Sequence, residues 1–234
     1  MSLEAVFIDA GNTLLYENPS RFEIYASAAR RRGVPITTER MTELMRAAHR
    51  ALPREIGGAF RYSERWFSEY IRRIFQDELG LSNEDLPELS AEIFSRFAEP
   101  GTFRLFPGAI ELFEGLRRRG VAIGIVSNWS QRLPGILAGL GVDGRVDFVL
   151  ASAIERVEKP DPEIFLRACG LAKASPARSL HAGDDAAKDV GGARAAGLSS
   201  VRVVHGAGFG EDPETGAPRV GSLFELAEWI AGRD

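Results

Sequence analysis

The sequence predicts a doubly wound α/β fold, a parallel sheet clothed by helices, with a small helical bundle inserted after the first strand. Three observations predict it. From about residue 105 onward, short apolar runs alternate with helix-length segments, the pattern of a parallel sheet with right-handed crossovers. One further strand-like run, Ala5-Val6-Phe7-Ile8, stands alone near the start. Between the two, apolar residues recur only at helical spacing.

In chain order, Ala5 to Ile8 delivers Asp9 into the turn Asp9-Ala10-Gly11-Asn12-Thr13. That puts a carboxylate at the carboxyl edge of a strand, where open α/β sheets bind ligands. Read alone, the same residues are also ordinary turn formers. The alternation then breaks off after Leu15. Phe22 and Tyr25 begin a helical interval. It continues with Met41, Leu44, Met45, Ala48 and Leu52, then Trp66, Phe67, Tyr70, Ile71, Ile74 and Phe75, then Leu89, Ile93, Phe94 and Phe97. Such stripes are the core faces of packed helices. Asn18-Pro19 on entry, with Pro100-Gly101 and Pro107-Gly108 on exit, break the pattern. The expected division is therefore a core domain of 1–16 and 105–234 and a helical domain of 17–104, joined by two hinge strands as a lid.

Beyond the interval we expect a helix over 107–119, a strand over 121–126, a helix near 131–140 and a strand over 147–151. A helix over 162–169, a strand over 179–182, a helix over 186–196, a strand over 200–204 and a helix over 223–231 follow. The stretch 206–221 is rich in Gly and Pro and reads as a flexible loop. Two arginine triplets, Arg30 to Arg32 before Gly33 and Arg117 to Arg119 before Gly120, read as cations on the last turn of a helix ahead of a glycine terminator.

Composition narrows the class. The chain has 234 residues, 44% of them hydrophobic, enough for one large or two modest domains with a real core. A net charge of −4 offers no general field for nucleic acid or an anionic membrane. The single cysteine, Cys169, forms no internal disulfide, and no apolar run has the length of a signal or a membrane span. We expect a cytoplasmic protein with neither nucleic acid nor membrane as partner.

Three later segments share the design of the first, an apolar run followed at once by groups suited to an anion or a metal. Val121 to Val126 leads into Ser127 and Asn128, whose hydroxyl, amide and backbone groups can donate to phosphate oxygens; they are equally a helix cap. Lys159 sits in Glu158-Lys159-Pro160-Asp161-Pro162 and is the first of only three lysines among 29 basic residues. In a chain that prefers Arg, a lysine here invites explanation. Ser179 to Ala182 runs into Gly183-Asp184-Asp185, with Asp189 four residues on. Such an acidic pair repels itself unless it is solvated or bound to a cation, and oxygen-only ligands suit magnesium. His49, His181 and His205 lack metal-ligand spacing, and His181 on a strand reads as packed.

Taken together, the four segments resemble the haloacid dehalogenase-like hydrolase superfamily, most of whose members are phosphatases, across nearly the whole chain. Asp9 and Thr13 match its first motif, Asp-x-Asp-x-Thr; Ser127 matches the second and Lys159 the third. Gly183, Asp184 and Asp189 match the acidic fourth. The resemblance implies a Rossmann-like core with a helical cap between the first two motifs, and a small phosphorylated substrate. It implies Asp9 as nucleophile through an aspartyl phosphate, and Mg2+ held by Asp9, Asp184 and the Gly11 carbonyl. Phosphoryl oxygens would fall to Thr13, Ser127, Asn128 and Lys159, with Asp189 and Asp185 orienting Lys159 or metal-bound water.

One departure stands out. Gly11 occupies the place where the family's phosphatases carry the Asp that protonates the leaving group and then activates water. General acid/base catalysis is worth roughly 10²- to 10⁴-fold, so the resemblance implies a slow phosphatase. It also leaves open a metal-independent 2-haloacid dehalogenase, since a halide needs no proton, and a non-catalytic protein that binds phosphoryl ligands. The Schiff-base chemistry of phosphonoacetaldehyde hydrolases is excluded, because no lysine precedes Lys159.

Overall fold

The computed structural model of the protein describes residues 3–233. The backbone clusters into two compact units, Met1–Tyr16 with Leu105–Asp234, and Glu17–Arg104. In the first unit β1 (Ala5–Ile8) is buried along its whole length, as an uninterrupted apolar run in a parallel sheet must be. β2 (Leu15–Glu17) then leads out of it.

The second unit is helical. α1 (Arg21–Arg31) starts where the Ser20 hydroxyl accepts the Glu23 N–H, and α2 (Thr38–Ala51) where Thr37 does the same for Arg40; such caps satisfy donors that the helix itself cannot. A short hairpin of β3 (Glu55–Ile56) and β4 (Ala59–Phe60) precedes α3 (Glu64–Arg72), which runs on as a π-helical turn over Arg73–Glu78. α4 (Leu86–Ala98) completes the bundle. Tyr25, Met41, Trp66, Ile71, Phe75 and Leu89 belong to one buried cluster. Two of its aromatic polar atoms are satisfied by carbonyls, Trp66 Nε1 by Pro53 at 2.8 Å and Tyr70 OH by Met45 at 2.9 Å. β5 (Phe103–Leu105) brings the chain back and pairs with β2 in a two-stranded ribbon.

The sheet unit continues with α5 (Ala109–Arg118), β6 (Ala122–Ser127), α6 (Leu133–Gly139), β7 (Phe148–Ala151), the single turn α7 (Ser152–Glu155) and α8 (Pro162–Ala172). After these come β8 (Ser179–Gly183), α9 (Gly192–Ala195), β9 (Ser199–Val203), β10 (Gly210–Glu211), β11 (Pro218–Val220) and α10 (Leu223–Ala231). Seven strands form one sheet in the order β10-β11-β9-β8-β1-β6-β7. All neighbours are parallel except β10 against β11. The first strand in sequence is thus interior, with β6 on one side and β8 on the other. Ile8 pairs with both Ile125 and Ala182, so Asp9 leaves the sheet level with the carboxyl ends of both neighbours, the crevice an open α/β sheet offers a ligand.

Two segments differ from the sequence expectation. Residues 206–221 carry the β10–β11 hairpin instead of an irregular loop. It is tied down by Asp212, which accepts from the Thr215 N–H and hydroxyl at 3.0 and 2.8 Å and from Arg202 Nη1 at 2.9 Å. The helix expected over 186–196 begins as a π-helical turn, Ala186–Gly191, before α9. Local side-chain bonds compete with regular winding there. Asp185 accepts the N–H groups of Ala187 and Lys188, while Asp189 reaches back to the Asp185 N–H at 2.9 Å. Among the described residues no helix is long and apolar enough to cross a membrane.

Phe165 on α8 is fully buried in the cluster between that helix and the sheet, edge-on to the His181 ring. Truncation of a buried Phe costs about 3–5 kcal/mol, so Phe165→Ala is expected to lower the urea midpoint by that much stability; a loss below about 1 kcal/mol would show that this cluster does not hold α8 to the sheet.

Candidate active site

Four chain segments meet at the carboxyl ends of β1, β6 and β8, all within the sheet unit. At their centre is Lys159, whose ammonium is almost fully buried, 3% exposed. Its Nζ donates to Asp9 Oδ1 at 2.6 Å and to Asp189 Oδ1 at 2.5 Å. Its backbone is fixed by Asn128 across 31 residues of sequence: Asn128 Nδ2 donates to the Lys159 carbonyl at 2.9 Å, and the Lys159 N–H donates to Asn128 Oδ1 at 2.8 Å. Both polar atoms of that amide are therefore engaged, and what Asn128 has left to offer an anion is its backbone N–H and the second hydrogen on Nδ2.

Asp189 is gripped from three sides. Besides Lys159, its Oδ1 contacts His181 Nε2 at 2.8 Å, and its Oδ2 accepts the Asp185 N–H. His181 Nδ1 is buried without a partner, so the tautomer with hydrogen on Nε2 is the one that satisfies the pair. Gly183 is required by this packing, because a Cβ there would collide with the Asp189 carboxylate. Asp185 itself does not reach Lys159. Its carboxylate caps the following turn, the segment that carries Asp189, and pairs with Lys188 at 2.7 Å.

The charges are unevenly balanced. Burial works against the Lys159 ammonium, but Asp189 and Asp9 outweigh it and hold the group well above the usual lysine range. Burial also opposes ionisation of Asp189, yet Lys159 and the His181 bond win and keep it below the ordinary carboxylate range. Asp9 is pushed up, by burial first and by Asp189, against the pull of Lys159 and the Ser127 hydroxyl. Asp184 makes no salt bridge among the described residues; burial and the nearby Asp9 and Asp189 charges push it up to about 7.

Oxygen atoms of Asp9, Asp184 and Asp189 lie within 4.8 Å of one another. One ammonium facing three clustered carboxylates leaves an excess of negative charge in a buried site, and an all-oxygen donor set fits a hard divalent cation. Thr13 Oγ1 is buried without a hydrogen-bond partner, a polar atom that calls for an explanation and faces none from the protein.

Three residues of this neighbourhood escaped sequence reasoning. His181 is packed as expected, but its ring also bonds Asp189. His205 Nε2 donates to the Thr13 carbonyl at 2.8 Å, with its ring stacked on Phe106. Arg202 Nε donates to the Asp184 carbonyl at 3.2 Å, and its other end is anchored by Asp212 and Glu214. Their only sequence signal is position: His181 two residues before Gly183, the others at the end of the adjacent strand.

A family model of haloacid dehalogenase-like hydrolases matches residues 3–197. The chain belongs to that family. This haloacid dehalogenase-like hydrolase is 31% identical over 208 residues to haloacid dehalogenase-like hydrolase domain-containing protein 3 of Bos taurus, covering 87% of this chain and 82% of the relative. It is 35% identical over 166 residues to a phosphoserine phosphatase of Thermus thermophilus, covering 69% and 65% of the two chains. The putative β-phosphoglucomutase of Thermotoga maritima superimposes with a TM-score of 0.76 at 22% identity, over 99% of this chain and 100% of that one, a likeness of fold.

The Asp184 carboxyl gives a test of the charge excess. Its folded value, about 7, lies above its ordinary 3.8. The folded protein therefore holds that proton more tightly between the two values, and stability falls as pH rises from about 4 to about 7. In a chelator, the melting temperature of the wild type is expected to fall across this window relative to Asp184→Asn, and added divalent cation to restore it only in the wild type. Parallel profiles for the two proteins would show that Asp184 carries no such strain.

Proposed function

We propose that this hydrolase is a magnesium-dependent phosphatase of small phosphorylated metabolites, acting through a phosphoryl group carried on Asp9. The observation that carries the reading is the buried Lys159 ammonium bonded to Asp9 and Asp189 beside a third carboxylate, Asp184, which makes no salt bridge among the described residues. The phosphatase relative supports it by its name. Asp9, Asp184 and the Gly11 carbonyl would hold the ion, which when bound supplies the positive charge that offsets repulsion between a carboxylate and an anionic phosphate.

The chain's own residues do the rest. Asp9 attacks phosphorus in line, and the bond to the leaving oxygen breaks. The Thr13 and Ser127 hydroxyls, the Asn128 N–H and the Lys159 ammonium take the phosphoryl oxygens. Asp189, fixed by His181 and the Asp185 N–H, keeps Lys159 aimed at Asp9. Water then cleaves the aspartyl phosphate. Residues 17–104 form the substrate-selecting cap in this reading, a role supported by their insertion between Thr13 and Ser127.

Gly11 slows the reaction in this account, because position 11 supplies neither acid nor base. It also favours one other reading, displacement of halide from a 2-haloacid, in which no proton is needed. A rapid-mix assay with 4-nitrophenyl phosphate separates the two. Release that requires magnesium, is lost in Asp9→Asn and is raised in steady state by roughly 10²-fold in Gly11→Asp is the expected result. Silence of all three proteins, with chloride released from 2-chloropropionate in the presence of chelator, would replace the phosphatase with a dehalogenase; ligand binding without either turnover would leave a binding protein.

A further inference from the structure

The proton inventory around Asp9 points to the kind of bond this site can break. Gly11 has no side chain, and it is not among the glycines with a left-handed backbone, so its conformation does not demand glycine. Within the sheet unit the ionisable groups acting on Asp9 are Lys159 and Asp189, and Asp184 feels Asp9 in turn. In the magnesium-loaded site of the phosphatase reading none is a usable acid. Lys159 is locked between two carboxylates, Asp189 accepts three hydrogen bonds as an anion, and Asp184, one of the three clustered carboxylates, would be a ligand of the ion. The two nearby histidines are spent: His181 is fully buried with Nε2 on Asp189, and His205 Nε2 is on the Thr13 carbonyl. What remains, the Thr13 and Ser127 hydroxyls, are alcohols, no stronger as acids than the serine of a phosphate ester.

We propose that the substrates of this site are phosphoryl donors whose leaving group departs as a stable anion, namely acyl phosphates and phosphoric anhydrides, in preference to phosphate monoesters of alcohols. The proposal rests on the phosphatase reading. In the first step an Asp9 carboxylate oxygen forms a bond to phosphorus, and the bond from phosphorus to the leaving oxygen breaks. The electron pair stays on that oxygen as a carboxylate or phosphate anion, and no proton moves. In the second step water attacks the same phosphorus, the Asp9 carboxylate is released, and the water proton passes to solvent. The second step also lacks a base at position 11, so it is slow and common to every substrate, and phosphoenzyme accumulates ahead of turnover.

The test is rapid-quench measurement of phosphoenzyme formation at saturating substrate with magnesium. The probes are acetyl phosphate, O-phosphoserine, and a pair of matched shape, phenyl and 4-nitrophenyl phosphate. Expected is a first-step rate at least about 10²-fold higher for acetyl phosphate than for O-phosphoserine. The nitrophenyl ester should also be clearly faster than the phenyl ester, and Gly11→Asp should narrow both ratios. Equal rates across the wild-type series would overturn the proposal and leave the phosphatase reading standing, because some other group would then be protonating the leaving oxygen. Absence of phosphoenzyme from every donor, acetyl phosphate included, would remove the phosphatase reading and this proposal with it. The wild-type series decides the matter even if the Gly11→Asp protein does not fold.

Discussion

A buried ammonium shared by two carboxylates is the interaction on which the site depends. Taking an ion out of water costs several kcal/mol even after relaxation, and the loss is recovered only when geometry is good and the remaining hydrogen-bonding groups are satisfied. Lys159 meets those terms through Asp9 and Asp189. Asp189 in turn needs His181 and the Asp185 N–H, which explains why the helix after β8 starts with a π-helical turn and why residue 183 is glycine. Asn128 fixes the lysine backbone from the end of the neighbouring strand. The third carboxylate, Asp184, makes no salt bridge among the described residues, and burial with the nearby Asp9 and Asp189 charges raises its affinity for a proton.

The backbone around this cluster is held as firmly as the side chains. Arg202 bonds the Asp184 carbonyl and His205 the Thr13 carbonyl, so the residues at and just beyond β9 brace both acidic loops from behind. Arg202 can do this because Asp212 and Glu214 engage its far end. The hairpin at the sheet edge thereby becomes part of the scaffold of the site. Gly11 is the counterpoint, a position where backbone is present and no side chain is.

Much of this was legible in the sequence. The alternation of apolar runs and helical segments gave the sheet, and the polar residues ending β1, β6 and β8 marked one edge of it, because strand ends in a parallel sheet share a side. The rarity of lysine picked out Lys159. Pairings between distant residues were not legible. The Asn128 amide could equally have met a phosphate, and nothing in its neighbours says that it meets the Lys159 backbone instead. The Asp185 carboxylate meets Lys188, one turn away, and nothing in the sequence ranks that contact above others. The stretch 206–221 looked loose because Gly and Pro dominate it, while the order comes from Asp212 and an arginine ten residues earlier. Periodicity reports which face is buried, and says little about which buried polar atoms find each other.

The most direct test of the account is to find where the phosphoryl group goes. Wild-type protein mixed with acetyl phosphate and magnesium, quenched in acid and reduced with borohydride, converts an acyl-phosphorylated aspartate to homoserine, which peptide mass spectrometry can locate. The account predicts homoserine at position 9 and nowhere else, and none in Asp9→Asn. Homoserine at Asp184 or Asp189, or phosphate release with position 9 unmodified throughout, would contradict it.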